Sequence, residues 1–216
     1  QKLKPKKMKN IRIFCEGVSD QRFLRDFIFL NYDIEISDKQ LKKNEIIHNL
    51  GGWTNLKNLK NKITEELFEF TSLIFLDADD EKTAEKAGKE KTEKFIDDLM
   101  LEWNWKNYDK YIFPNNIEEK GEVEDFFEKI INKENSDIFD CWNSFEKCLL
   151  DKNKGYMIPA KKSKVYLYHE ALIENKDNCK DSGRDFKDSK LWDLDCENNL
   201  YLKNLKEFLD KYLKVN

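Results

Sequence analysis

Short apolar runs alternate with amphipathic stretches through the first 120 residues of the chain. Four runs have the length and apolar character of β-strands: 11–15, 44–52, 72–80 and 111–116. Between them, apolar residues recur at helical spacing over 19–30, 54–68 and about 82–103, with Ser19 as the expected N-cap of the first helix. Strands that alternate with helices of this length predict a parallel sheet covered on both faces.

After residue 120 the pattern becomes helical, with four amphipathic segments at 123–131, 138–150, 162–173 and 201–213. One face of the second segment carries Ile138, Cys141, Trp142, Phe145, Cys148 and Leu149, which is typical of a core-facing helix. We therefore predict an α/β fold with a doubly wound, mainly parallel four-stranded sheet. The α/β core takes residues 1–120, and a helical extension over 121–216 packs on it to form one compact unit.

Composition excludes several classes of protein. Although 38% of the residues are charged, 15 Phe, 8 Tyr and 5 Trp supply enough apolar area to order the chain. No apolar run approaches the roughly 20 residues of a membrane helix. The five cysteines form no CxxC pair, so we expect a reducing, cytoplasmic location, with Cys141 and Cys148 as small core residues.

Acidic residues follow two of the apolar runs. Glu16 comes directly after the first strand, and Asp77 and Asp79 end the third. The carboxyl ends of parallel strands form the ligand-binding edge of an open sheet, and residues i and i+2 of extended backbone point the same way. If the first and third strands are neighbours, three carboxylates converge there. Such a group raises its pKa values or holds a cation, and oxygen ligands suit Mg²⁺ or Mn²⁺. The competing explanation is that acids end strands because loops are polar.

Two acidic motifs carry a resemblance to a known family. The sequences EGVSD at 16–20 and DAD at 77–79 resemble those of a Toprim domain, the metal-dependent catalytic fold of topoisomerases, bacterial primases and OLD-family nucleases. The segments NLGGWTNL, FPNNIEEKGEVEDFF and KSKVYLYHEAL are similar to parts of DUF3226-type and OLD-like Toprim proteins, so the resemblance covers nearly the whole chain. It implies a Toprim-like, Rossmann-like core.

The resemblance also implies roles for individual residues. Glu16 would be a metal ligand or proton-transfer group, and Asp77 and Asp79 would be metal ligands. Further metal-binding acids would be Asp20 and either Glu124 or Glu122. Either Lys164 or Lys162 would be the lysine that stabilises the scissile phosphate. Stabilisation of a helix start competes with metal binding for the acids, and a solvated helix face competes with catalysis for the lysines.

Three other features have a structural and a functional interpretation. Gly17, Gly51 and Gly52 are expected in tight turns, where backbone amides could also hold a phosphate. His169 is expected on the surface of its helix. The aromatic cluster Trp103, Trp105 and Tyr108 is expected to pack in the core or at a helix end rather than to stack bases.

These residues lead to two main hypotheses of function. The first is a Mg²⁺- or Mn²⁺-dependent phosphodiester hydrolase acting on DNA or RNA. The second is a non-catalytic module that binds nucleic acid, a nucleotide or a separate ATPase subunit, which the formal net charge of −4 mildly favours. Nucleotidyl transfer is a third possibility. The chain has no GxxxxGK[ST] motif, so an ATPase would be a separate protein.

Overall fold

The protein is an α/β structure built on four parallel strands. A computed structural model describes residues 10–61, 69–80 and 87–214. Its strands are β1 (Ile11–Cys15), β2 (Ile47–Asn49), β3 (Thr71–Asp77) and β4 (Tyr108–Phe113). They lie in the order β2-β1-β3-β4, and every pairing is parallel. The predicted fold class is thus confirmed, although β2 is much shorter than the predicted run.

The register of the sheet brings the ends of its two central strands together. Cys15 pairs with Phe75, and Asp77 pairs with Phe113 of β4. Glu16, the next residue after β1, therefore lies near the last residues of β3. The condition set by the sequence, that the first and third strands be neighbours, is met.

Seven α-helices surround the sheet in the described residues: α1 (Val18–Tyr32), α2 (Asp38–Lys42), α3 (Lys89–Glu102), α4 (Val123–Lys129), α5 (Asp137–Asp151), α6 (Lys161–Leu172) and α7 (Leu200–Leu213). Short 3₁₀ helices occupy Trp53–Asn61, Lys133–Asn135, Lys176–Cys179 and Asp181–Gly183. The helix predicted over 54–68 is thus 3₁₀ as far as Asn61. Its remainder, like the first turn of the helix predicted from about 82, lies outside the described residues. No described helix is long and apolar enough to cross a membrane.

The first helix begins two residues earlier than the capping pattern predicted, with its N-cap at Gly17 and not at Ser19. Gly17 occupies the N-cap position, and the Asp20 carboxylate accepts a hydrogen bond from the Gly17 N–H at 2.9 Å. An acid at this third helical position can cap the backbone from inside the helix. Ser19 is therefore a buried residue of the first turn and not the N-cap.

Apolar side chains cover both faces of the sheet. The larger cluster joins rings from β3, β4, α1, α4 and α7, including Phe75, Phe113, Phe23, Phe126 and Phe208. The smaller cluster packs α3 and two of the buried tryptophans, Trp103 and Trp105, against the opposite face. The core-packing interpretation of that aromatic cluster is confirmed. The larger cluster takes side chains from both sides of residue 120.

Helix α5 buries a narrower stripe than its sequence predicted. Phe139 and Trp142 are buried, but Cys141 and Cys148 are exposed and Phe145 is half-exposed. The expectation that both cysteines are core residues is wrong, because α5 packs mainly against α6 and only the side facing α6 is covered. A periodic apolar face shows that a helix is amphipathic but does not show how many neighbours it has.

The expectation that His169 lies on the surface is also wrong. Its side chain is fully buried, with Nδ1 2.9 Å from the Val165 carbonyl oxygen. The imidazole packs against Trp192 with ring centroids 5.2 Å apart. Trp192 comes from an irregular segment that covers α6, and nothing in the local pattern of α6 indicates that cover.

Candidate functional site

Acidic side chains gather at the carboxyl edge of the two central strands. Asp77 ends β3 and is only 9% exposed. Burial raises the pKa of its carboxyl well above the ordinary value, and the charges of Glu16, Asp20, Glu124 and Asp79 raise it further. Four other acids that the sequence singled out therefore lie within electrostatic reach of the buried Asp77 carboxyl group.

Helix α4 docks on the end of β3 through this same carboxyl. Asp77 Oδ1 accepts a hydrogen bond from the Val123 backbone N–H at 2.9 Å. Val123 is the first residue of α4, so the bond satisfies one of the unpaired amides of the helix start. The docking brings Glu124, the next residue, to the edge of the sheet. Glu124 follows neither β1 nor β3 in the sequence, and the packing of α4 places it beside the other acids.

Asp20 serves the helix start and the acid group together. Its bond to the Gly17 N–H caps α1, as the structural alternative predicted. The side chain is nevertheless buried, and burial raises the pKa of its carboxyl while the Gly17 hydrogen bond lowers it. Its charge also acts on Asp77 and Glu124. Capping therefore does not remove Asp20 from the candidate site.

The structure distinguishes Glu124 from Glu122. Burial, followed by the charge of Asp20, raises the pKa of Glu124 to about 7. Glu122 is the N-cap of α4, and its carboxylate lies 3.9 Å from the Lys161 ammonium. Its backbone N–H donates to the Asp125 carboxylate at 2.8 Å. The charge of Glu124 acts on Asp77, whereas that of Glu122 acts on Glu124, and Glu122 also takes part in the capping and ion-pair contacts at the start of α4.

Asp79 lies near the other acids, but not because it continues an extended strand, as the sequence predicted. The extended backbone of β3 ends at Asp77, and Asp79 adopts a left-handed conformation with φ of 62°. Its backbone N–H donates to the Gly121 carbonyl at 2.9 Å. The alternation of an extended strand therefore does not apply to this pair. The charge of Asp79 still contributes to the raised pKa of Asp77, after those of Glu16, Asp20 and Glu124.

The donor atoms suit a hard divalent cation, but they are not arranged as a finished ligand set. Carboxylate oxygens are the ligands that Mg²⁺ and Mn²⁺ prefer. Across 10–61, 69–80 and 87–214, however, no three His, Cys, Asp or Glu side chains are grouped so that they could hold one metal ion. Binding a cation here would require carboxylates to move toward one another. The chemistry of the donors fits, and their present geometry is open.

Of the two candidate lysines, Lys162 lies on the side of the acids. Its Nζ is 2.6 Å from Asp181 Oδ2, and its charge lowers the pKa of Asp20. Lys164 turns toward α5 instead, with Nζ 3.0 Å from Glu128 and 3.1 Å from Asn143 Oδ1. The geometry favours Lys162 as the cation beside the acids.

The three glycine amides expected to hold a phosphate already donate within the chain. Gly17 N–H donates to Asp20, as described above, and Gly51 N–H donates to the Asn49 side chain at 2.9 Å. Gly52 N–H donates to the Glu16 carbonyl at 3.0 Å. These contacts order the turns that follow β1 and β2, and they do not favour a phosphate site.

Sequence reasoning missed a buried cation next to the acids. Arg184 is fully buried, its Nη1 donates to Ser19 Oγ at 2.5 Å, and its charge lowers the pKa of Glu124. The guanidinium carbon lies 4.9 Å from the centre of the Tyr166 ring. Arg184 follows the 3₁₀ turn Asp181–Gly183 in a segment without apolar periodicity, so no local signal could have identified it.

Comparison with known proteins gives one family and no characterised relative. No curated protein and no solved structure matches the chain. A family model described as "Protein of unknown function (DUF3226)" matches residues 10–214. Because that match spans nearly the whole chain, the protein belongs to the DUF3226 family.

Proposed function

We propose that the protein is a Toprim-type, Mg²⁺- or Mn²⁺-dependent phosphodiester hydrolase acting on nucleic acid. The observation that carries the proposal is the convergence of Glu16, Asp20, Asp79 and Glu124 on the buried carboxyl of Asp77. Folding brings these acids close to Asp77 although each repels its carboxylate, which costs free energy unless a cation compensates. The carboxyl edge of a parallel sheet is also where such folds bind ligands.

The position of each residue indicates its role in binding the cation or the phosphate. Glu16 and Asp77, at the ends of adjacent strands, would hold the cation. The further ligands would be Asp79, Asp20 and Glu124. If Glu16 does not bind the cation, it would instead transfer a proton. A bound Mg²⁺ or Mn²⁺ would neutralise phosphate charge and supply an activated water. The Lys162 ammonium, half-exposed beside the acids, would contact a phosphate oxygen and stabilise its developing charge.

The direct test is cleavage of single- and double-stranded DNA and RNA in Mg²⁺ or Mn²⁺. Asp77→Asn should reduce the cleavage rate by at least ~100-fold, since it removes a charge aimed at the metal. Asp98→Asn is the matched control, because Asp98 is an exposed acid of α3 that pairs only with Lys94 among the described residues. Absence of cleavage by the wild type under all these conditions would refute the hydrolase.

The second candidate is a non-catalytic module that binds nucleic acid, a nucleotide or a separate ATPase subunit at the same edge. The open arrangement of the acids favours it, because no described trio of side chains is grouped around one ion. Thermal-shift measurements with nucleotides and single-stranded DNA, each with and without Mn²⁺, separate the candidates. Stabilisation by one of these ligands without its cleavage supports the module, and turnover of a nucleoside triphosphate would indicate nucleotidyl transfer.

A further inference from the structure

Four polar side chains form a continuous path from the start of α1 to the start of α6. Ser19 Oγ accepts from Arg184 Nη1 at 2.5 Å, and Arg184 Nη2 lies 3.0 Å from Asp181 Oδ1. Asp181 Oδ2 lies 2.6 Å from Lys162 Nζ. Both carboxylate oxygens of Asp181 are therefore engaged by cations, one buried and one at the surface. We call this path the 19–184–181–162 relay.

Burial decreases along the relay from Arg184 outward. Arg184 exposes none of its side chain, Asp181 exposes 19% and Lys162 exposes 52%. An ordinary surface ion pair orders its lysine weakly, because both partners are free to move in water. Here the carboxylate is held from behind by a guanidinium that is itself packed on Tyr166. The lysine is tethered to the interior while its ammonium stays accessible.

The relay lies beside the acids around Asp77 and carries an excess of positive charge. We call these acids, Glu16, Asp20, Asp77, Asp79 and Glu124, the acid cluster. Arg184 and Lys162 are two cations joined by one carboxylate. Their charges reach the acids, since Arg184 lowers the pKa of Glu124 and Lys162 lowers that of Asp20, although the Asp181 carboxylate raises the pKa of Asp20 by more. A phosphate bound to a cation at the acids would therefore have this positive charge on the side away from the cation.

A purely structural role leaves part of Arg184 unexplained. Its Nε and Nη2 are buried and make no hydrogen bond within the described residues, so the Nη2 contact with Asp181 Oδ1 is an ion pair only. A buried donor without a partner costs free energy, and so does a buried guanidinium that faces a single carboxylate. A neutral side chain packed on Tyr166 would avoid both costs. The arrangement is understandable if the charge is needed at this position.

We propose that Arg184 and Asp181 are positioning residues that hold the Lys162 ammonium at the rim of the acid cluster, where it meets a phosphate oxygen of a nucleic acid. The proposal rests on the proposed function. A free lysine chain samples many rotamers, and fixing it before the substrate arrives removes that entropy from the reaction. The segment Lys176–Gly183, remote from both acidic motifs in sequence, thereby becomes part of the site.

The first test observes Lys162 directly and needs no activity. Lysines are reductively ¹³C-dimethylated, and the Lys162 resonance is assigned by its loss in Lys162→Arg. In the wild type we expect faster transverse relaxation for Lys162 than for Lys180, an exposed lysine that directly precedes Asp181. Asp181→Asn should shift the Lys162 resonance toward that of exposed lysines and slow its relaxation.

Asp177→Asn is the matched control for this variant. Asp177 pairs with Lys180 at 2.8 Å at the same three-residue spacing that joins Asp181 to Arg184, but both partners are exposed. Its substitution should leave the Lys162 resonance unchanged. If Lys162 in the wild type is as mobile as Lys180, or if Asp181→Asn does not move its resonance, the relay is refuted. The wild-type comparison decides even if Asp181→Asn fails to fold.

The second test separates positioning from general damage to the fold. Asp181→Asn should lower kcat by ~10- to 100-fold, the usual effect of removing a group that orients a catalytic side chain. Mn²⁺ binding followed by electron paramagnetic resonance should be retained, because Asp181 is not a proposed ligand. Asp181→Glu, which keeps the carboxylate, should restore most of the loss, and Asp177→Asn should have no effect.

The two proposals fail in different ways. A wild-type protein that binds no Mn²⁺ and cleaves nothing overturns the proposed function, while the Lys162 resonance still decides whether Asp181 holds the lysine. A wild-type protein that cleaves nucleic acid, with kcat unchanged in Asp181→Asn, overturns the relay and leaves the proposed function standing.

Discussion

At the scale of single residues, Asp77 shows a conflict between stability and binding. Its carboxyl is buried among like charges, yet one oxygen accepts a well-formed hydrogen bond from the Val123 N–H. An amide side chain would keep that acceptor and remove the repulsion. The central residue of the proposed cation site is therefore also one whose charge opposes folding when no cation is bound.

We expect Asp77→Asn to stabilise the metal-free protein while abolishing its response to metal. In EDTA, its Tm should rise by about 2–4 °C, corresponding to roughly 1 kcal/mol for a chain of this size. Addition of Mn²⁺ should raise the Tm of the wild type and leave that of the variant unchanged. Thermal melts followed by circular dichroism measure both effects, and a lower Tm for the variant in EDTA would contradict the repulsion argument.

His169 makes stability depend on pH in the opposite sense from the acid cluster. Burial, more than the nearby charge of Arg184, lowers the pKa of His169 to about 4, below the ordinary value of 6.5. The unfolded chain therefore binds this proton more readily than the folded chain. Its contribution to stability is complete above pH 6.5 and is lost as the pH falls toward 4.

The substitution His169→Phe should flatten this part of the pH dependence. Between pH 7 and pH 5 the wild type should lose about 1–2 kcal/mol more unfolding free energy than the variant, because phenylalanine binds no proton. Urea denaturation at both pH values gives the difference, and groups such as Glu124 that titrate in both proteins cancel. Equal losses in the two proteins would show that His169 titrates normally.

At the scale of elements, the irregular segment after α6 is built around a close backbone approach at Gly183. A Cβ atom placed there would lie 2.5 Å from the Asp177 carbonyl oxygen and 2.8 Å from the Asn178 Cα. Neither neighbour is a flexible side-chain end that could move aside. The two 3₁₀ turns on either side of Lys180 can pack together only if this position has no side chain.

Gly183→Ala should therefore separate the two turns and displace the segment that carries Asp181 and Arg184. We expect a loss of about 1–3 kcal/mol in unfolding free energy, as for overpacking elsewhere. Gly155→Ala serves as the control, because a Cβ there meets nothing within 4 Å, although its φ of 70° adds a small strain. Denaturation curves of both variants provide the comparison, and equal losses would contradict the packing argument.

Elements differ in how far their own sequence determines their surroundings. The apolar run of β3 is a local feature, and it is sufficient to predict the strand and its burial. The acids that end the run are local too, and Asp77 as a site residue stays a prediction. The buried side of α5 and the burial of His169 depend on partners from elsewhere in the chain, which local periodicity does not contain. Arg184 was missed for the same reason, since only its three-dimensional position marks it.

At the scale of the whole molecule, α7 closes the larger core over the sheet. The Phe208 ring lies 5.6 Å from that of Phe75 and 5.4 Å from that of Tyr111, centroid to centroid. The last helix thus packs directly on the two strands β3 and β4. The division at residue 120 suggested by the sequence follows a change in element type, while the packing continues across it.

Phe208→Ala should destabilise the molecule as one unit. We expect a loss of about 3–5 kcal/mol, with a single unfolding transition retained, because the vacated space borders both strands and helix. Far-UV circular dichroism and tryptophan fluorescence should give the same midpoint in urea. Separate midpoints would show that the helical extension unfolds independently of the sheet.

The pairing of β1 with β3 has a further consequence, for the order of events during folding. Glu16 and Asp77 are about 60 residues apart in the chain, with α1, α2 and β2 between them. Closing so long a loop is entropically slow compared with forming its local helices. Affinity for a divalent cation should therefore emerge only with this strand pairing, and stopped-flow refolding in the presence of Mn²⁺ would time the completion of the sheet.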